Sequence, residues 1–140
     1  MKHLLTIVLT LALAACSTIG TPDEYEYTVY FTKGFRQDTV AVTIDNVAVG
    51  PPISLTTWSV LDKAGSWIEV RVDSGLLVAE FKPHHRIAAL GEPRKTTQFQ
   101  VTHKNVSFTY SMDVRQGKWL LVSLDSVIRF EQWTRAPIFD

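Results

Sequence analysis

The sequence predicts an all-β fold: a single antiparallel β-sandwich or small β-barrel of about eight or nine short strands. Three observations carry this. From Tyr25 onward apolar residues recur with a period of two, the mark of strands that bury one face. Turn-forming residues such as Asp-Asn, Asp-Ser-Gly and Lys-Asn fall between most of those runs. No window of helical length shows a 3.6-residue apolar period, so no helix is on offer to cover a sheet.

The chain opens on a different kind of segment. "MKH" supplies a positive start, Leu4 to Ala14 form an uncharged apolar run of 11 residues, and the small Ala15 precedes Cys16, the one cysteine of the chain. A helix needs roughly 20 apolar residues to span a bilayer. The run therefore reads as the core of a cleaved signal peptide. "LAAC" (Leu13 to Cys16) resembles the lipobox of bacterial lipoproteins. That resemblance implies that Cys16 becomes the mature N-terminus, its sulfur carrying a diacylglycerol and its amine a further acyl chain, and two or more chains hold a protein stably on a bilayer. It also implies, through Ser17, transport to the outer membrane, and so a bacterial envelope protein anchored there; a periplasmic facing is expected, the lipobox itself specifying neither the periplasm nor the outside of the cell. The alternative is an ordinary secretory signal cut near Ala15, where an A-x-A site also stands, with the thiol left free. The resemblance stops near Gly20.

The organisation that follows is a signal peptide over 1–15, a lipidated N-terminus with a flexible tether over 16–24, and a β-domain over 25–140. Without the signal about 125 residues remain, enough for one domain that folds unaided. The chain has 14 basic and 14 acidic residues, and losing Lys2 leaves one acid in excess. No basic surplus points to nucleic acid or to anionic lipid. With Cys16 taken by lipid, no thiol is left for a disulfide, a thiolate metal site or a cysteine nucleophile. No cofactor is expected.

Taken in order, "STIGTPDE" (Ser17 to Glu24) lacks periodicity and reads as the tether. Tyr25, Tyr27, Val29 and Phe31 share one face of a strand. Val40, Val42 and Ile44 run up to Asp45-Asn46, and Val47 and Val49 resume on the same face if those two residues make a tight turn. Ile68, Val70 and Val72 point inward between Glu69 and Arg71, and a "DSG" turn leads to Leu77, Ala79 and Phe81. The longest alternation sets Val106, Phe108, Tyr110, Met112 and Val114 against Ser107, Thr109, Ser111, Asp113 and Arg115. "QGK" (Gln116 to Lys118) turns the chain into "WLLVSL", and Asp125-Ser126 turns it into "VIRFEQW". Lys82 to Lys95 breaks the pattern with two prolines and adjacent histidines. It reads as a long connection from one sheet to the other, with one helical turn, "RIAAL", ending at Gly91.

Chemistry is sparse. His84, His85 and His103 are the histidines left after processing. Adjacent residues of an extended chain point to opposite sides, so at most one of the first pair can share a metal with His103. The plainer reading makes His103 a strand-end residue bonded to backbone. No nucleophile elbow is present, serines and threonines fall mostly on the solvent side of strands, and Glu69, Glu80, Asp113 and Glu131 are spread singly at outward positions. The sequence thus assigns no catalytic and no metal residue. Trp58, Trp67, Trp119 and Trp133 stand at or near strand ends, where each plugs the core or joins Lys118, Arg129 or Arg135 in an exposed binding patch. "WTRAPIFD" at the C-terminus either packs back or serves as an apolar docking peptide.

Three readings follow. The first is a non-enzymatic lipoprotein that binds or assembles with another envelope protein. The second is an inhibitor or immunity-type lipoprotein that inserts the 82–95 loop into a wall-degrading enzyme or toxin. The third is a small metal or ligand carrier built on His84 or His85 with His103.

Overall fold

The computed structural model describes residues 22–58 and 63–139, so the signal segment and Cys16 lie outside the described residues. Twelve strands form two six-stranded sheets that face one another. In chain order they are β1 (Tyr27–Phe31), β2 (Arg36–Ile44), β3 (Val47–Ala48), β4 (Ile53–Trp58), β5 (Lys63–Ala64), β6 (Trp67–Asp73), β7 (Leu76–Lys82), β8 (Arg86–Gly91), β9 (Thr96–His103), β10 (Val106–Asp113), β11 (Trp119–Asp125) and β12 (Val127–Trp133). The first sheet has the order β12-β11-β1-β6-β7-β8. The second runs β10-β9-β2-β4-β5, with β3 paired to β2. The all-β sandwich is thus as the alternation predicts, curled toward a half-barrel. One pair departs from antiparallel order: β1 lies parallel to β11, Thr28 opposite Trp119 and Phe31 opposite Val122.

The inner faces supply the core. Val29, Phe31, Ile68, Ala79, Phe81, Leu120 and Val122 from the first sheet meet Val40, Ile44, Leu55, Phe99, Val101 and Met112 from the second, all at most 1 % exposed. Phe31 lies at the centre, stacked on Phe81 with centroids 5.7 Å apart and edge-on to Phe35 at 5.9 Å. Rings at such separations add to the stabilisation that apolar burial already gives. The turns are set by residues that tolerate positive φ. Asp45-Asn46 (φ +46° and +65°), Ser74-Gly75 (+51° and +81°) and Lys104-Asn105 (+49° and +62°) each close a hairpin in two residues. Asp45 also ties its turn to the next strand, since its carboxylate accepts from Thr97 Oγ1 at 2.7 Å and from the Gln98 amide at 2.8 Å. At Gly34 (φ +99°) the chain passes from β1 to β2 so close to β11 that a Cβ would lie 1.7 Å from the Leu124 carbonyl oxygen.

One expectation needs correction. The "RIAAL" stretch is strand, not helical turn: Arg86–Gly91 forms β8 and pairs with β7, Ala88 opposite Ala79 and Ile87 opposite Glu80. An unfilled edge of β7 offered backbone pairing there, which outweighs the weak helix preference of a five-residue stretch. Only residues 92–95 carry the chain between sheets, so the protruding loop required by the inhibitor reading is absent from 82–95. The last three residues of the stretch read as tether lie among the described residues. Pro22–Glu24 is a 3₁₀ turn, held by the Lys118 ammonium on the Asp23 carbonyl and by a Lys95–Glu24 ion pair at 3.2 Å. At "QGK" the chain does turn: Val114–Gln116 forms a 3₁₀ turn, and Gly117 and Lys118 follow it from β10 in one sheet to β11 in the other.

Candidate functional site

The two outward faces differ sharply in chemistry. On the second sheet the outward positions are Thr39, Ala41 and Thr43 of β2, Ser54 and Thr56 of β4, Gln98, Gln100 and Thr102 of β9, and Ser107, Thr109 and Ser111 of β10. None of these is charged or aromatic; the charged and aromatic outward residues of this sheet, Arg36, Trp58 and Asp113, stand at strand ends. They bond laterally to one another, Thr43 to Gln100 at 3.0 Å, Gln98 to Ser111 at 2.9 Å and Thr102 with Ser107 at 2.8 Å. Such a face satisfies its own polar groups.

The first sheet carries most of the aromatic and charged residues. Because Val29, Phe31, Ile68, Val70, Leu120 and Val122 fill the inner positions, alternation turns Tyr30, Trp67, Trp119 and Leu121 outward. Register lines them up across the sheet. One row reads Trp133, Trp119, Thr28, Glu69, Glu80, Ile87, and its neighbour Glu131, Leu121, Tyr30, Trp67, Lys82. All four tryptophans occupy strand termini, the last residue of β4 and β12 and the first of β6 and β11.

Glu69 and Glu80 stand opposite each other on β6 and β7, where like charges would repel. Each is neutralised by its own cation. Glu69 pairs with Lys82 at 2.8 Å and accepts from Trp67 Nε1 at 3.1 Å; Glu80 takes Arg71 at 2.7 Å and His85 Nδ1 at 2.9 Å. The Lys82 bond, against some desolvation, holds Glu69 below the usual carboxylate range, and the His85 and Arg71 bonds do the same for Glu80. Glu80 is only 7 % exposed, whereas simple alternation places it in solvent. Its neighbours fold over it.

Beside this lattice, the Lys63 ammonium sits among three rings, 4.8 Å from the Trp67 centroid, 4.9 Å from Tyr30 and 5.2 Å from Phe139. Phe139 reaches that position because residues 134–139 leave β12 and return across the face, which brings its ring edge-on to Tyr30 at 5.2 Å. The C-terminal segment packs back in part: Phe139 lies against Tyr30, while Ile138 is 83 % exposed and Trp133 37 %. Between them Gln132, Thr134 and Arg135 line an open cleft of about 550 Å³. A second cleft of about 430 Å³ in the same face is bounded by Asp23, Glu26, Arg71, Lys118 and Trp119, so the Pro22–Glu24 turn borders this surface.

The histidines do not converge. His103 is buried, with Nε2 at 2.9 Å from Asp38 Oδ1; its partner is a carboxylate, not the backbone expected from sequence. With Asp38 ionised, that nitrogen carries the hydrogen. Burial alone would raise the Asp38 carboxyl, but the Arg36 amide, the His103 ring and the charges of His103 and Lys104 outweigh it and hold it low. His84 and His85 lie in the turn between β7 and β8 of the first sheet, not on an extended chain, and His85 bonds Glu80 of β7 in that same sheet. Among the described residues no three His, Cys, Asp or Glu side chains are grouped as a metal requires.

The lowered carboxylates set an acid limit. Burial tends to raise Asp45 as well, but the Gln98, Thr97 and Arg94 bonds keep it low, and the Arg115 bonds keep Asp113 low. A carboxyl whose folded pKa lies below its unfolded value contributes stability above the unfolded value, about 4, and that contribution is lost as pH falls through the folded one. Thermal melts are accordingly expected to shift steeply downward between about pH 4 and pH 2. A melting temperature unchanged across that window would contradict the ion-pair assignments.

Sequence reasoning missed Lys63 and the burial of Glu80. The outward phase of Tyr30 and Trp67 was the available signal for the first, but the two-residue β5 that delivers Lys63 has no periodicity to read. Comparison with known proteins adds no analogy: no family model, no curated protein and no solved structure matches this chain, so its function has to be argued from the site itself.

Proposed function

We propose that the protein is an envelope lipoprotein, anchored in the outer membrane through acylated Cys16 and facing the periplasm, whose β-domain docks another envelope protein through the outward face of its first sheet. It works by binding, without a catalytic step. The observation that supports this reading is the segregation of side chains: aromatic rings, arginines and the apolar C-terminal residues gather on one face, the composition favoured at the centre of protein interfaces, while the middle of the opposite face is lined by uncharged Thr, Ser and Gln, with Arg36, Trp58 and Asp113 only at its strand ends. The anchor geometry agrees. From Cys16 to Pro22 the chain spans at most about 20 Å, so a face bordered by Asp23 is held near the bilayer, within reach of membrane proteins.

The test replaces the exposed apolar groups. Ile138→Ser removes a side chain that is 83 % exposed and Trp133→Ala a ring that is 37 % exposed, so melting is expected to fall by less than about 10 °C. Partner binding in intact cells, read as the yield of one crosslinked envelope protein, is expected to fall by at least about tenfold. An unchanged yield would overturn the assignment of this face.

A further inference from the structure

We propose that two copies of this chain pair edge to edge through β12, in antiparallel register centred on Phe130, which joins their first sheets into one. This goes beyond the docking reading and does not depend on it. β12 ends the first sheet, and among the described residues no strand pairs with its other side. Which of its backbone groups are free follows from the bonds of β11. The Thr28 and Thr32 amides donate to the Lys118 and Val122 carbonyls, and the Leu124 amide donates to Lys33. Even-numbered residues of β11 thus face β1, and the odd-numbered Trp119, Leu121 and Ser123 bond β12 through Trp133, Glu131 and Arg129. Ile128, Phe130 and Gln132 are left with amides and carbonyls directed at the open edge. An edge of this kind is a template for another strand.

The side chains select the occupant. In a two-fold pairing about Phe130, Arg129 faces Glu131 of the second copy and Glu131 faces its Arg129, while Val127 meets Trp133 on the same surface. Arg129 and Glu131 occupy the positions that do not bond across the edge, where facing side chains come closest. Neighbouring centres fail on charge. A centre at Arg129 or at Glu131 sets that residue against its own copy, and a centre at Ile128 sets Glu131 against Asp125. Both charged groups are available: Arg129 is 64 % exposed with only a long 3.6 Å contact to Asp125, and Glu131 has no ion-pair partner among the described residues. Val127 and Trp133, which are 43 % and 37 % exposed, would be covered by the same contact. The two-fold axis stands perpendicular to the sheet, so both outward faces and both Pro22–Glu24 turns lie on one side of the pair, as two chains anchored in one leaflet require.

The test uses the full processed chain in a neutrally buoyant detergent, with the dimer dissociation constant measured by sedimentation equilibrium. Arg129→Glu opposes two glutamates at each contact and is expected to raise that constant by about tenfold or more, while Arg129→Glu with Glu131→Arg restores it to within about threefold. Both positions are exposed, so the fold is not at stake. A wild-type chain that stays monomeric up to about 100 µM, or a double variant no better than the single one, would overturn the pairing.

Discussion

Cys16→Ala is expected to move the protein almost wholly from the membrane fraction to the soluble one. About 0.8 kcal/mol accompanies each buried methylene, so an anchor of two or more acyl chains leaves a negligible fraction in water. Without the sulfur no diacylglycerol is attached, and the A-x-A site before Ala15 remains for ordinary cleavage. The expected readout is a mature wild-type N-terminal peptide that begins at Cys16 and bears acyl mass, with release of the variant on fractionation. A wild-type peptide with a free amine and a free thiol would make the protein an ordinary secreted one and remove the membrane from the account.

Phe31→Ala is expected to lower unfolding free energy by about 3–5 kcal/mol, because a fully buried ring is removed from a site that cannot collapse around the gap. Phe81 and Phe35 would each lose a ring partner, and both sheets meet there. Out of a total stability of about 5–15 kcal/mol this is a large share, and for a domain of this size the melting temperature should fall by roughly 10–25 °C. Urea unfolding of the two proteins measures it. A loss below about 1 kcal/mol would mean that the sheets do not pack as described.

Most of the fold was legible because strand alternation records burial directly. Tyr27, Val29 and Phe31, the Asp45-Asn46 hairpin and the long β9–β10 pair all follow from period and turn chemistry, since each depends on neighbours in sequence. What failed depends on distant partners. β8 is a strand because β7 had an edge to fill, and β1 lies parallel to β11, nearly ninety residues away in the chain, which no local pattern encodes. The candidate site was legible in part. The tryptophans and the C-terminal segment were visible as suspects, and their positions at strand ends hold. The Lys63 cluster and the buried Glu80 arise from lateral register across three or more strands, and register is a property of the assembled sheet.

On the proposed function, the outward face of the first sheet docks an envelope protein. Site-specific photocrosslinking in intact cells tests it most directly, with the photoreactive residue placed in turn at Leu121 and Trp133 on that face and at Thr109 and Ser111 on the opposite one. One discrete adduct from the first two positions, lost when Cys16 is alanine, and none from the other two is the expected result. Adducts from Thr109 and Ser111 with none from Leu121 and Trp133 would contradict the account.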